Sequence, residues 1–169
     1  MQPVEYRIGE DDYINFGLLN TAKAFRIFLS VFCGYLAFVL AAIAVSGGST
    51  ILWGMAVLTA FLLGLLCNNR FRALPRLLKA SYREDAQIKE PVLLTYDADG
   101  YVAESAASFN RREWADMVRW DENDRIFVVF SNRQLGHIFP KDQVPAHVID
   151  DIRNHMVASG LPERGKLRK

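Results

Sequence analysis

From Ile27 to Cys67 the sequence contains no Asp, Glu, Lys, Arg or His. A charge inside an apolar span is the usual pointer to ion or proton transport, so its absence counts against a pump or transporter. Only two cysteines occur, Cys33 and Cys67, both within this apolar stretch, which argues against a disulfide framework and a thiolate metal site. The three histidines, His137, His147 and His155, form no H-x-x-x-H or H-E-x-x-H pattern and have no acidic or thiolate partners at zinc-site spacing. No serine sits in a nucleophile-elbow pattern, and Gly47-Gly48 lacks the strand-to-helix context and lysine of a phosphate loop. The acid pairs Asp11-Asp12 and Asp150-Asp151 fall at a helix start or on a polar helix face, where solvation is the expectation. No catalytic residue, metal or cofactor is therefore expected. A formal charge of +1 also argues against a nucleic-acid partner of the basic-domain kind.

What is present is concentrated. The 169 residues are 51% hydrophobic, an ordinary average that hides one apolar block with the charges outside it. The block divides into 27–45 and 51–67 around Ser46-Gly47-Gly48-Ser49-Thr50. At ~1.5 Å per residue each run just spans a hydrocarbon core of roughly 30 Å, so 27–67 reads as a two-span transmembrane helical hairpin. A signal peptide is rejected, because the first run starts late, lacks a small-residue cleavage site and is followed directly by a second span. Lys23 and Arg26 precede the hairpin and Arg70, Arg72, Arg76, Lys79 and Arg83 follow it, while the connection is uncharged. The positive-inside rule then puts both termini in the cytoplasm. Because lipid gives helices no hydrophobic reason to associate, the small residues Ser30, Gly34, Ala56, Ala60 and Gly64 are the expected packing face, within the hairpin or in a homo-oligomer.

Around the hairpin the expected order is a cytosolic strand and helix over 1–26, a basic amphipathic linker helix over 68–90, a sheet-and-helix domain over 91–160, and a basic, disordered tail over 161–169. Val4–Ile8 alternates like a strand, and Asp11 or Asp12 can cap a helix carrying Tyr13, Phe16 and Leu19, with Gly17 against it. In the linker, Phe71, Leu74, Leu78 and Tyr82 share a face surrounded by Arg70, Arg72, Arg76, Lys79 and Arg83. Those cations either lie on anionic bilayer lipid or only fix topology while the apolar face packs on the domain. Pro75 is expected to bend or restart this helix. Strands are expected at Val92–Tyr96, Tyr101–Ser108, Trp114–Trp120, Ile126–Phe130 and Gln134–Phe139, the first two joined at Asp99-Gly100, with a helix from Pro145 to near Gly160. The fold class is thus an α+β membrane protein, its antiparallel β-meander closed by a C-terminal helix. Whether the amino-terminal strand joins that meander is open.

The segments Leu94-Thr95-Tyr96 with Gly100, Arg112-Glu113-Trp114-Ala115-Asp116 and Ile138-Phe139-Pro140-Lys141, in this order around a two-span hairpin, resemble the YcxB-like family of small bacterial membrane proteins. The resemblance implies localisation in a bacterial inner membrane and a cytosolic domain like part of a pleckstrin-homology fold, and it brings no catalytic residues. It also implies, for some members, an immunity role against membrane-acting toxins. The expected function is a non-enzymatic, membrane-anchored module whose cytosolic domain binds a protein or lipid, with an immunity protein that occupies a toxin as the alternative and a membrane enzyme a distant third. Arg111, Arg112, Trp114 and Trp120 are the candidate partner-binding residues, since arginine and aromatic side chains dominate hot spots, although a Trp on an alternating strand is more often core.

Overall fold

The computed structural model describes residues 3–161 and divides into two compact units, Asn20–Leu77 and a unit made from the segments that flank it, up to Leu19 and from Leu78. The basic-tail expectation for 161–169 lies, beyond Leu161, outside the described residues.

The apolar unit contains most of α1 (Glu10–Ser46), all of α2 (Thr50–Asn68) and the first turn of α3 (Leu74–Glu84). Gly47 and Gly48 make the turn between α1 and α2 with φ of 74° and 76°, a backbone region that costs glycine little. Ser49 then caps α2, its Oγ accepting from Leu52 N–H at 3.3 Å. Hydroxyls inside the helices are satisfied one turn back, Ser46 on Ala42 O at 2.7 Å and Thr59 on Met55 O at 2.8 Å. Val39, Ala56 and Thr59 are buried, whereas Phe38, Val57, Phe61 and Leu65 face outward and Val45 is 90% exposed. As the face packed within the hairpin, the small-residue stripe needs correcting. Of the five residues expected to pack, only Ala56 is buried; Ser30, Gly34, Ala60 and Gly64 are exposed, and a Cβ added at Gly34 or Gly64 would meet nothing within 4 Å. The buried positions of this unit are Val39, Ala56 and Thr59, so the four-residue spacing does not pick out the covered face.

Between α2 and α3 the chain makes a π turn over Asn69–Ala73, with Leu74 N–H bonded to Asn69 O. Proline at 75 has no N–H to give the carbonyl four residues back and its ring would strike it; the wider turn just before the proline accommodates both effects without ending the helix.

In the flanking unit β1 (Val4–Arg7), β2 (Pro91–Tyr96), β3 (Gly100–Glu104) and β4 (Phe109–Glu113) form one antiparallel sheet in that order. A second sheet holds β5 (Arg119–Glu122), β6 (Ile126–Phe130) and β7 (Gly136–Pro140), followed by α4 (Ala146–Ala158). The amino-terminal strand does join the sheet: Val4 lies opposite Leu94 and Arg7 opposite Pro91. Side-chain carboxyl or amide oxygens organise the reversals, Asp97 Oδ1 taking the N–H groups of Asp99 and Gly100, Asn123 Oδ1 those of Arg125 and Ile126, and Asn132 Oδ1 those of Gln134 and Leu135. This last turn delays β7 to Gly136, and a turn closed by Ser105 and Ser108 ends β3 at Glu104, earlier than expected.

The expected strand Trp114–Trp120 is replaced by β4, a 3₁₀ turn at Trp114–Asp116, and β5. All five β4 side chains are exposed, so Phe-Asn-Arg-Arg-Glu carries no alternation to read.

One core lies between the sheets and α4, built on Tyr6, Leu94, Trp114, Phe127, Phe139 and Ile152. A second cluster covers the other face of β6, where Ile126, Val128 and Phe130 meet Tyr13, Phe16 and Leu19 of α1, with Phe16 stacked on Phe130 at 5.8 Å. β6 is therefore buried on both faces, which accounts for its uninterrupted Ile-Phe-Val-Val-Phe. Gly17 lets α1 approach closely there, since a Cβ would come within 2.4 Å of Leu78 Cδ1 and displace that side chain. α4 ends with Leu161 N–H on Met156 O and Gly160 at φ 74°, a left-handed helix stop.

Two glycines give opposite predictions. A Cβ at Gly100 would lie 2.1 Å from Arg112 O in β4, whereas Gly34 faces open space. Gly100→Ala is expected to cost about 1–3 kcal/mol by forcing β4 off β3. Gly34→Ala should leave the thermal midpoint of the purified chain unchanged; equal midpoints for the two variants would contradict this packing.

Candidate functional site

Trp114 is 1% exposed; its Nε1 donates to Asp97 O at 2.9 Å and its ring lies parallel to His155, 5.7 Å between centroids. Trp120 is buried too, stacked on Phe127 at 5.6 Å. As partner-contact residues both are corrected: the 3₁₀ turn rolls Trp114 inward, and β5 presents Trp120 to the core. Arg111 and Arg112, opposite Val102 and Tyr101 of β3, are exposed on β4. β4 is an outermost strand of its sheet and also carries Phe109, 66% exposed.

Beside β4 is a small open hollow lined by Thr95, Asp97, Asp99, Arg111 and Glu113 among others. The backbone N–H groups of Gly100 and Asp99, with Arg111 and His155 adding attraction, hold the Asp97 carboxyl below its usual range. This carboxylate organises a turn.

The five cations after the hairpin divide by environment. Arg72 and Arg76 are exposed. Lys79 and Arg83 both reach Glu10, at 2.5 and 3.2 Å, and the Lys79 hydrogen bond chiefly holds the Glu10 carboxyl below its usual range. The apolar face of α3 within this unit packs on the domain, with Tyr82 OH donating to Ile8 O at 2.9 Å and Tyr13 6.0 Å from the Tyr82 ring. Arg70 belongs to the apolar unit, where it donates to Thr21 Oγ1 and lies 5.3 Å from the Phe25 centroid.

Several groups escaped sequence reading. Asp12, expected to be solvated, is 3% exposed; its Oδ2 accepts the Gly9 N–H at 2.9 Å and Oδ1 faces Arg125 at 3.5 Å, so it closes the start of α1. Asp150 pairs with Arg153, and Asp151 accepts from Tyr96 OH at 3.0 Å. Glu122 holds Lys141 at 2.6 Å and Arg153 at 3.0 Å, tying β5 to the end of β7 and to α4. Neither contact leaves a local signal, because the partners are distant in sequence. His147 is exposed. Among the described residues no group of three or more His, Cys, Asp and Glu side chains could hold a metal.

These features define an α+β protein with two antiparallel sheets and two helices long and apolar enough to cross a membrane. Residues 96–156, from the last residue of β2 into α4, match the family model described as YcxB-like protein. Of the segments that carried the resemblance, Leu94-Thr95 lies just before the match and the others fall within it. Neither curated proteins nor solved structures give a match.

His137 gives a pH prediction. Its Nε2 pairs with the buried Tyr6 hydroxyl, and the rings of Tyr101 and Phe139 lie 5.2 and 4.8 Å away. Part of the residue meets solvent, but Nε2 faces inward, and burial pushes His137 down to about 4. The unfolded chain binds this proton near pH 6.5 and the folded chain only near 4, so stability is complete above 6.5 and falls as pH drops through that window. His137→Gln should flatten the unfolding midpoint between pH 6.5 and 4 relative to the parent; parallel curves would assign the acid loss elsewhere.

Proposed function

We propose that the chain is a non-enzymatic binding module anchored by a two-span hairpin in a bacterial inner membrane, acting through a pleckstrin-homology-like cytosolic domain on a protein or lipid partner. The observation that carries the anchor is the absence of protein cover. Of the most apolar window in each long helix, only 6% and 11% of residues are buried, which leaves large side chains such as Phe38, Val45 and Phe61 mostly uncovered by protein, as lipid-facing side chains would be. Placement of both termini in one compartment is supported twice. The basic flanks favour it, and β1, before the hairpin, pairs with β2, after it. The division into four and three strands with a closing helix supports the pleckstrin-homology-like reading.

With both tryptophans in the core, the binding surface we assign is β4. It is an exposed outer strand, its backbone edge suits strand addition, and Arg111 and Arg112 favour an acidic partner.

The full chain should stay with membranes through an alkaline carbonate wash, and deletion of 27–67 should release it; recovery of the intact chain in the wash would overturn the anchor. Replacing Arg111 and Arg112 together by Glu should lower recovery of the partner from solubilised membranes by about tenfold while retention is unchanged. Undiminished recovery would remove β4 from the proposal. A toxin recovered in equal amount would favour the immunity-protein alternative.

A further inference from the structure

At the end of the apolar unit away from the Gly47-Gly48 turn, α1 and the π turn after α2 enclose an open groove. Its lining changes character along its length. Thr21, Asn69 and Arg70 are polar, while Phe25, Phe28 and Leu66 are apolar, and no acidic residue lines it. The Arg70 guanidinium is positioned by the Thr21 hydroxyl and by the Phe25 ring, and Phe71 closes edge-on against Phe25 at 5.9 Å. Phe28, by contrast, is 55% exposed.

The position is specific. Arg70 lies three residues beyond Cys67, the end of the uncharged run and about 4.5 Å along a helix, which on the membrane-anchored reading puts the polar end at the phosphate layer and Phe28 and Leu66 in the acyl region. Across Asn20–Leu77 the only ionised side chains are Lys23, Arg26, Arg70, Arg72 and Arg76, all basic. A planar guanidinium matches two phosphate oxygens, and a phosphate oxygen can share or replace the acceptor that Thr21 now provides. Arg72 and Arg76 are exposed cations with no such setting and attract the surface only diffusely.

We propose that this groove seats one anionic glycerophospholipid, with its phosphate on Arg70 and an acyl chain along Phe28 and Leu66. The site rests on the membrane-anchored reading above. Asn69 adds an amide beside the phosphate.

The test is native mass spectrometry of the full chain in detergent with dioleoyl-phosphatidylglycerol, dioleoyl-phosphatidylcholine or sn-glycerol 3-phosphate. The parent should retain one phosphatidylglycerol, at least about fivefold in excess over phosphatidylcholine, and should not retain glycerol phosphate. Arg70→Gln should lose that lipid about tenfold, and Arg76→Gln should bind within about twofold of the parent. Ala24→Trp fills the groove while keeping Arg70, and should also lose the lipid; it decides the matter if Arg70→Gln fails to fold. Equal retention of phosphatidylcholine, equal loss in both arginine variants, unimpaired binding by Ala24→Trp, or retention of glycerol phosphate alone would each overturn the site. Failure of the carbonate wash is read separately and removes the anchor itself.

Discussion

The antiparallel ladder between β1 and β2 is the contact on which the rest of the structure depends. Residues 8–90 separate the paired strands, and the ladder commits the two ends of that long excursion to one place. Its neighbourhood is reinforced by short-range packing between the start of α1 and the later part of α3: the Gly17–Leu78 approach, the Tyr82 hydroxyl on Ile8, and Glu10 between Lys79 and Arg83. The ion pairs are solvent-accessible and screened, so they add little to stability. Close packing at Gly17 and the aromatic cluster of Tyr13, Phe16 and Tyr82 contribute more, through burial. Without these contacts β2 would expose an edge where β1 now lies, and Tyr6 would leave the core.

Legibility in the sequence followed how local each cause is. The apolar helices were visible because an uncharged run is a local property, and β6 because burial on both faces removes every polar residue from a strand. The turn at Asp97–Gly100 was visible because one carboxylate organises its own next three residues. β4 was not, since a strand exposed along its whole length has no periodicity, and the aromatic pattern of Trp114 to Trp120 suggested a strand where a 3₁₀ turn separates two. The small-residue spacing in the spans misled because spacing records which residues share a face, not which face is covered. The pairing of β1 with β2, the Glu122 ion cluster and the Tyr6–His137 contact join residues too distant in sequence for any window to reveal.

The candidate sites show the same dependence on context. Five basic residues within fourteen positions look equivalent as composition, yet Lys79 and Arg83 serve the domain, Arg70 is set against Thr21 and Phe25, and Arg72 and Arg76 remain at the surface. The two tryptophans with the strongest claim as contact residues are instead the pieces that hold β5, α4 and the Asp97 turn together. Under the proposed reading, arginine on an exposed edge strand is what remains for recognition, a surface that owes its exposure to lying at the end of the strand order.

Strand order also sets a timetable for the ribosome. β1 emerges first, but its partner β2 lies beyond both apolar helices, and at roughly 5–20 residues per second the wait is several seconds. During that interval the nascent chain holds an unpaired strand, and the first part of α1 has no β6 to cover. The sheet that β1 opens therefore cannot close until both apolar helices have been made, and the second sheet and α4 follow later still.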